Sequence, residues 1–164
     1  MANQHTSQLG DFFRAWFALI NAFTWPVSGE KLFPDGVQVA IDEYHGTAGT
    51  PRCIFRLGNS RPDDNNSTTR KAYDVTLELQ QQVIAAESGE AAIFGAHRTS
   101  TDEAATVGLI DLDARISSSA GYFTTADDAE LNSYITHTGT DRPVMKPGNL
   151  ASMTMQFKAN IVIT

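Results

Sequence analysis

Several things are scarce in this sequence, and each scarcity closes a door. Cys53 is the one cysteine in 164 residues, which excludes an intrachain disulfide and any paired-cysteine metal or redox motif and fits a reducing cytoplasm. No run approaches the ~18 apolar residues of a membrane span, and residues 1–9 hold neither Lys nor Arg nor an apolar stretch, so neither a transmembrane helix nor a secretory signal is expected. Basic residues are few: Lys+Arg number 12 against Asp+Glu 19, for a net charge of −7 and a pI near 4.9. They are also scattered, which argues against a surface that grips nucleic acid by releasing counterions. Hydrophobic residues at 41% and charged residues at 19% both fall below the globular average, with Ser, Thr, Asn and Gln making up the difference. The expectation is one acidic domain over residues 1–164, kept inside a cell, whose partners are proteins or DNA that must slide past without adhering.

What is present is periodicity. Over residues 9–23 the apolar positions Leu9, Phe12, Phe13, Trp16, Phe17, Leu19, Ile20 and Phe23 recur at three- and four-residue steps, predicting an amphipathic helix capped by Thr6 or Ser7 and stopped before Trp25 and Pro26. Its stripe reads as core first and as an oligomer contact second. Alternation follows: Val37, Val39 and Ile41; then Cys53, Phe55 and Leu57; then Tyr73, Val75, Leu77 and Leu79. Each set predicts a half-buried antiparallel strand with one polar face. Between the last two strands, residues 59–69 carry no aliphatic side chain, so they predict a hairpin with a long projecting tip. Residues 84–95 are rich in Ala and Gly and give no clear element. Ser100 and Glu103 have capping-box spacing ahead of Ala105, Leu109, Leu112 and Ile116, predicting a second helix over 102–117. A short turn at 125–128, a strand over 134–138, a Gly- and Pro-bearing turn and a final alternating strand over 153–163 complete the chain. The fold class expected is α+β: a mostly antiparallel sheet packed by an N-terminal and a central helix, with a projecting β-hairpin.

Motifs that carry chemistry are sparse. The four histidines, His5, His45, His97 and His137, have no metal-ligand spacing, and the two glycines after His45 precede a strand, not the helix that a phosphate cradle needs. His97, or His137 with Asp141 nearby, could supply a general base if the fold positioned a nucleophile. Asp63, Asp64, Asn65 and Asn66 set oxygen ligands in a row without the spaced pattern that wraps calcium, so they read as a solvated turn. Asp111 and Arg115 are four apart on the second helix and can pair, while Asp111 and Asp113 point to different sides and cannot face each other as glycosidase carboxylates do. Cys53 reads as a small buried hydrophobe. No cofactor, metal or catalytic set is expected, and function by shape and assembly is favoured.

The order of elements carries a resemblance. An N-terminal amphipathic helix, strands around Pro51, Arg52, Cys53, Ile54, Phe55, Arg56, Leu57 and Gly58, a return strand through Tyr73, Val75, Leu77 and Leu79, a central helix and a closing strand through Met153, Met155, Phe157 and Ala159 together resemble the tail terminator (tail completion) proteins of long-tailed bacteriophages. Segments 87–98 and 120–131 depart from that pattern. The resemblance implies a structural virion protein and not an enzyme: a homo-oligomeric ring, commonly a hexamer, at the head-proximal end of the tail tube. Such a ring ends tube polymerisation and joins the tail to head-completion or connector proteins at the neck, while DNA passes through its centre. Assembly would take place in the host cytoplasm, with no membrane involved. An acidic lumen would keep DNA from adhering. Exposure and charge place candidate subunit or ring-to-ring contacts at Arg61, Asp63, Asp64 and Arg70 on the hairpin, and at Arg142 and Lys146 in the C-terminal turn. Other readings are a different head-to-tail connector or tail-tube subunit, and, from another class, a small cytoplasmic enzyme or ligand-binding module with a site near His97, His137 and Asp141.

Overall fold

The computed structural model describes residues 4–25, 29–62, 70–83, 89–97, 104–123 and 133–162. In chain order these form α1 (Gln4–Asn21), β1 (Val37–Val39), β2 (Arg52–Pro62), β3 (Arg70–Gln82), α2 (Gly89–Phe94), β4 (Ala96–His97), β5 (Ala104–Thr106), α3 (Leu109–Ser118), β6 (Gly121–Phe123), β7 (Ser133–Thr140), β8 (Val144–Lys146) and β9 (Leu150–Val162). The architecture is α+β. Seven strands make one sheet in the order β1, β2, β3, β9, β7, β6, with β8 pairing with β9 further along its length, while β4 and β5 form a separate small ribbon. All pairings in the large sheet are antiparallel except that of β1 with β2.

The long strands form where alternation is longest. β3 and β9 run side by side without a register break from Arg70↔Val162 to Gln82↔Leu150, which places the closing strand at the centre of the sheet. One face of this pair is apolar: Val75, Leu77 and Leu79 beside Met153, Met155, Phe157, Ala159 and Ile161, extended by Cys53 and Phe55 from β2 and Ile135 from β7, all buried. α1 lies on that face because Phe12, Trp16 and Ile20 fall on one stripe. Trp16 meets Phe157 edge-on at 4.8 Å, and Phe13 and Phe17 stand 5.2 and 4.9 Å from Phe55. The Trp16 indole N–H donates to Ser119 Oγ at 2.9 Å, tying α1 to the end of α3, whose Leu109, Leu112 and Ile116 enter the same core.

Several expectations are corrected. α1 begins at Gln4 and ends at Asn21, so Thr6 and Ser7 lie inside it instead of capping it; the apolar stripe marks where the helix touches the core, not where its hydrogen bonding begins. After Asn21 the chain turns back, with Thr24 bridged to Lys31 and the Trp25 N–H donating to the Glu30 carbonyl at 2.8 Å. β1 is parallel to β2 and stops at Val39, leaving Ile41 90% exposed. β2 departs from simple alternation, since Ile54 is buried on the face opposite Cys53 and Phe55, and Leu57 is exposed.

The central helix starts at Leu109, not at residue 102. Ala104–Thr106 is instead β5, paired with β4. Gly108 is the N-cap and makes no side-chain capping bond; a Cβ there would come within 2.6 Å of the Ile93 carbonyl oxygen, so the helix begins where only glycine fits against α2. The unassigned Ala- and Gly-rich stretch contains α2. The Ser100 and Glu103 capping pair, the turn at 125–128 and the hairpin tip with Asp63, Asp64, Asn65 and Asn66 lie outside the described residues.

Phe157→Ala is expected to cost about 3–5 kcal/mol in urea denaturation. Leu57→Ala, at an exposed position, should stay within about 0.5–1 kcal/mol. Comparable losses at the two positions would contradict a core that ends before Leu57 along the helix-bearing face.

Candidate functional site

The opposite face of the sheet is polar and is closed at one end. Strand register sets Arg52, Gln80 and Ser152 abreast, then Ile54, Glu78 and Thr154, then Arg56, Thr76 and Gln156, and period two turns all of these away from the helices. Glu78 is 2% exposed. Its Oε1 accepts from Arg56 Nη1 at 2.7 Å; its Oε2 accepts from Ser152 Oγ at 2.5 Å and Gln80 Nε2 at 2.9 Å, and Lys146 Nζ lies 3.0 Å away. Burial acts to raise the Glu78 pKa, but the Ser152 hydroxyl, the Gln80 amide, Lys146 and Arg56 outweigh it and bring the carboxyl down from an ordinary 4.5 to about 2.

Segment 40–49 covers this cluster. Arg56 Nε donates to the Asp42 carbonyl at 2.6 Å. Arg52 Nε and Nη2 donate to the Ala48 carbonyl at 2.9 and 2.5 Å, its Nη1 donates to Gln80 Oε1 at 2.9 Å, and its guanidinium lies 4.9 Å from the centre of the Tyr44 ring. Tyr44 Oη accepts from the Ala48 N–H at 3.1 Å, and Asp35 Oδ2 accepts from the Gly49 N–H at 2.7 Å. Between this segment and the turn after β8 lies an open cleft of about 380 Å³, lined by Asp42, Glu43, Tyr44, Arg56, Glu78 and Lys146 among others.

Chemically this is a clamp. Both oxygens of Glu78 are engaged by donors, and each of its two arginine neighbours divides its donors between a side chain on β3 and a carbonyl of the covering segment. A carboxylate held ionised and fully hydrogen-bonded is a poor proton acceptor near neutral pH. What it does well is hold β2, β3, β8, β9 and segment 40–49 in one arrangement.

The histidine site is rearranged. His137 Nε2 lies 2.8 Å from Thr140 Oγ1, and Thr140 donates to Asp113 Oδ1 at 2.6 Å. With the Thr140 proton given to Asp113, Nε2 is the protonated nitrogen that donates to Thr140. Nδ1 stands 3.3 Å from Ser117 Oγ, whose hydroxyl donates to the Asp113 carbonyl at 2.8 Å, one turn back on α3. Asp141 is not a partner of His137; its carboxylate accepts from Gln156 Nε2 at 2.8 Å. The His97 side chain lies outside those described. Asp111 and Arg115 do not pair, and Asp113 is the α3 carboxylate that engages the sheet.

The interface candidates fall in different places. Arg61 pairs with Asp74 at 2.8 Å, both well exposed, Arg70 opens β3, and Arg142 is exposed ahead of β8. Lys146 belongs to the Glu78 cluster. Asp63 and Asp64 are outside the described residues. Cys53 is fully buried and burial pushes its thiol pKa up, as a small core residue requires. Among the described residues no group of three or more His, Cys, Asp or Glu gathers to hold a metal, and no helix is long and apolar enough to cross a membrane.

Sequence reasoning missed Glu78, Gln80, Arg52 and Arg56, which read as the solvent face of alternating strands. The available signal was two arginines four apart on one arm of a hairpin opposite an acid and an amide two apart on the other. No protein-family model matches the sequence, and no curated protein matches it.

Glu78 ties stability to pH. Its pKa is depressed on folding, so its contribution is complete above about pH 4.5 and is lost as pH falls towards about 2. The difference between 4.5 and 2 corresponds to about 3 kcal/mol. Glu78→Gln should therefore be less stable at pH 7, and its urea midpoint should fall less steeply between pH 5 and 2 than that of the wild type. Parallel slopes would show that Glu78 carries no such linkage.

Proposed function

We propose that this chain is a structural phage protein, a tail terminator that forms a homo-oligomeric ring on the head-proximal end of the tail tube, ends tube growth and joins the tail to head-completion or connector proteins. The observation that supports this reading is the order of elements along the chain: α1 packed over the apolar face of the sheet, the long antiparallel pair β2 and β3, then α2 and α3, and the central closing strand β9. Residues 57–62 of β2 are exposed while still paired with β3, which supports a hairpin that projects and makes contacts at its tip. The buried hydrogen-bonding capacity of the polar face is spent on holding shape, as suits a protein that works by assembly. A net charge of −7 suits a lumen through which DNA passes without adhering.

On this reading Arg61, Arg70 and the tip residues Asp63 and Asp64 meet a neighbouring subunit or ring. The purified chain should run in light scattering as a closed oligomer several times its 17.8 kDa mass and appear in electron micrographs as a ring with a central channel. Arg61→Glu combined with Arg70→Glu should leave the monomer folded, since an exposed ion pair contributes only about 0–1 kcal/mol, while impairing ring formation or tail attachment. Unchanged assembly in that variant removes the hairpin from the contact, and a monomer at every concentration counts against the ring.

A further inference from the structure

One cluster of polar side chains belongs neither to the apolar core nor to the Glu78 clamp. His137 on β7 faces the C-terminal half of α3, where Asp113 and Ser117 stand one turn apart, and the register shift in β7 after His137 brings Thr140 to the same place. All four side chains are half-buried.

The cluster is one proton short. Thr140 gives its single hydroxyl proton to Asp113 Oδ1 at 2.6 Å, so it accepts from His137 Nε2 at 2.8 Å. Ser117 gives its own to the Asp113 carbonyl at 2.8 Å. Its oxygen therefore turns a lone pair towards Nδ1, 3.3 Å away. In a neutral ring with its proton on Nε2, Nδ1 answers with a second lone pair, and the contact is not a hydrogen bond. It becomes one if Ser117 withdraws its proton from the carbonyl, or if Nδ1 receives a proton of its own. Only the second change breaks no existing bond.

The charges around the ring favour that second change. Among the described residues, α3 presents the Asp113 carboxylate, one hydroxyl away from Nε2, and β9 presents the uncharged Phe157 ring at 5.0 Å. Lys158 follows Phe157 on β9 but is in register with Thr136, so period two turns it to the other face of the sheet. Arg115 is two residues from both Asp113 and Ser117 and lies across α3 from them. Asp141 is turned to Gln156. The ring meets one nearby negative charge and no positive one.

We propose that His137 is a proton-operated fastener between α3 and β7: the neutral ring reaches α3 through Nε2 and Thr140 alone, and the imidazolium holds it through both ring nitrogens. Histidine changes charge between about pH 5 and 8, so the joint tightens as the medium turns mildly acidic. The end of α3 also carries Ser119, which accepts the Trp16 indole N–H at 2.9 Å, so α1 is anchored to the helix end that the proton fastens. The fastener does not depend on the ring reading and operates in a monomer as in an oligomer.

The test is the melting temperature, read by circular dichroism at pH 5 and pH 8 for the wild type, His137→Gln and Ser117→Ala. Both values lie above the range in which Glu78 loses its charge, so that group does not contribute to the difference. The added bond exists only in the protonated form, so its stabilisation is present at pH 5 and lost by pH 8. The wild type should therefore lead His137→Gln by about 2–4 °C more at pH 5 than at pH 8. Ser117→Ala keeps the imidazole and removes its acceptor, at a half-buried helical position where Ala is well tolerated, and the wild-type lead over it should widen at pH 5 in the same way. A lead over either folded variant that is equal at the two pH values, or larger at pH 8, overturns the fastener and leaves His137 a packing residue. A nitrogen-detected spectrum of the wild type at pH 8 that places the one ring proton on Nδ1 overturns it as well.

Discussion

A carboxylate withdrawn from water has to be answered by donors, and Glu78 is answered from four sides. Arg56 comes from β2, Gln80 from its own strand, Ser152 from β9 and Lys146 from β8. Desolvating such a group costs several kcal/mol, which only a complete set of partners offsets. The parts of the molecule with the fewest ladder bonds of their own are the ones recruited: β8 has three residues, and segment 40–49 lies almost wholly outside any strand. Their positions follow from the need to satisfy one buried charge.

The two faces of the sheet are therefore held by different physics. On one, aromatic and aliphatic packing around Trp16, Phe55 and Phe157 supplies non-directional burial. On the other, directional bonds select one geometry. The apolar side was legible in the sequence because its periods are intrinsic to the chain: 3.6 in α1 and 2 in β9 leave a stripe whatever they pack against. The parallel sense of β1 was not legible, since alternation is the same in parallel and antiparallel strands. Nor was the start of α3, where pairing of β5 with β4 and the close approach of Gly108 to α2 override local capping chemistry.

The polar site was hidden for a related reason. A charged residue on the outward face of a strand reads as solvated, and what buries Glu78 comes from residues far away in the chain. His137 shows the same limit. Its sequence neighbour Asp141 is turned towards Gln156 beyond a register shift between His137 and Gly139, while Asp113 reaches the site from α3 through Thr140. Proximity along the chain is a poor guide once a strand bulges.

The central place of β9 bears on timing. β3 pairs with partners 68 residues away at Gln82↔Leu150 (150 minus 82) and 92 away at Arg70↔Val162 (162 minus 70), so the middle of the sheet can close only after residues 150–162 have been synthesised. Until then β2 and β3 can form a hairpin, but its inner edge stays open, and long-range pairing of this kind is slow and prone to wrong partners. β8 is made before β9 and pairs with no other described strand. Each nascent chain therefore passes through an interval in which the inner edge of β3 is exposed and β8 waits for its partner, and both are answered at once when the last strand arrives.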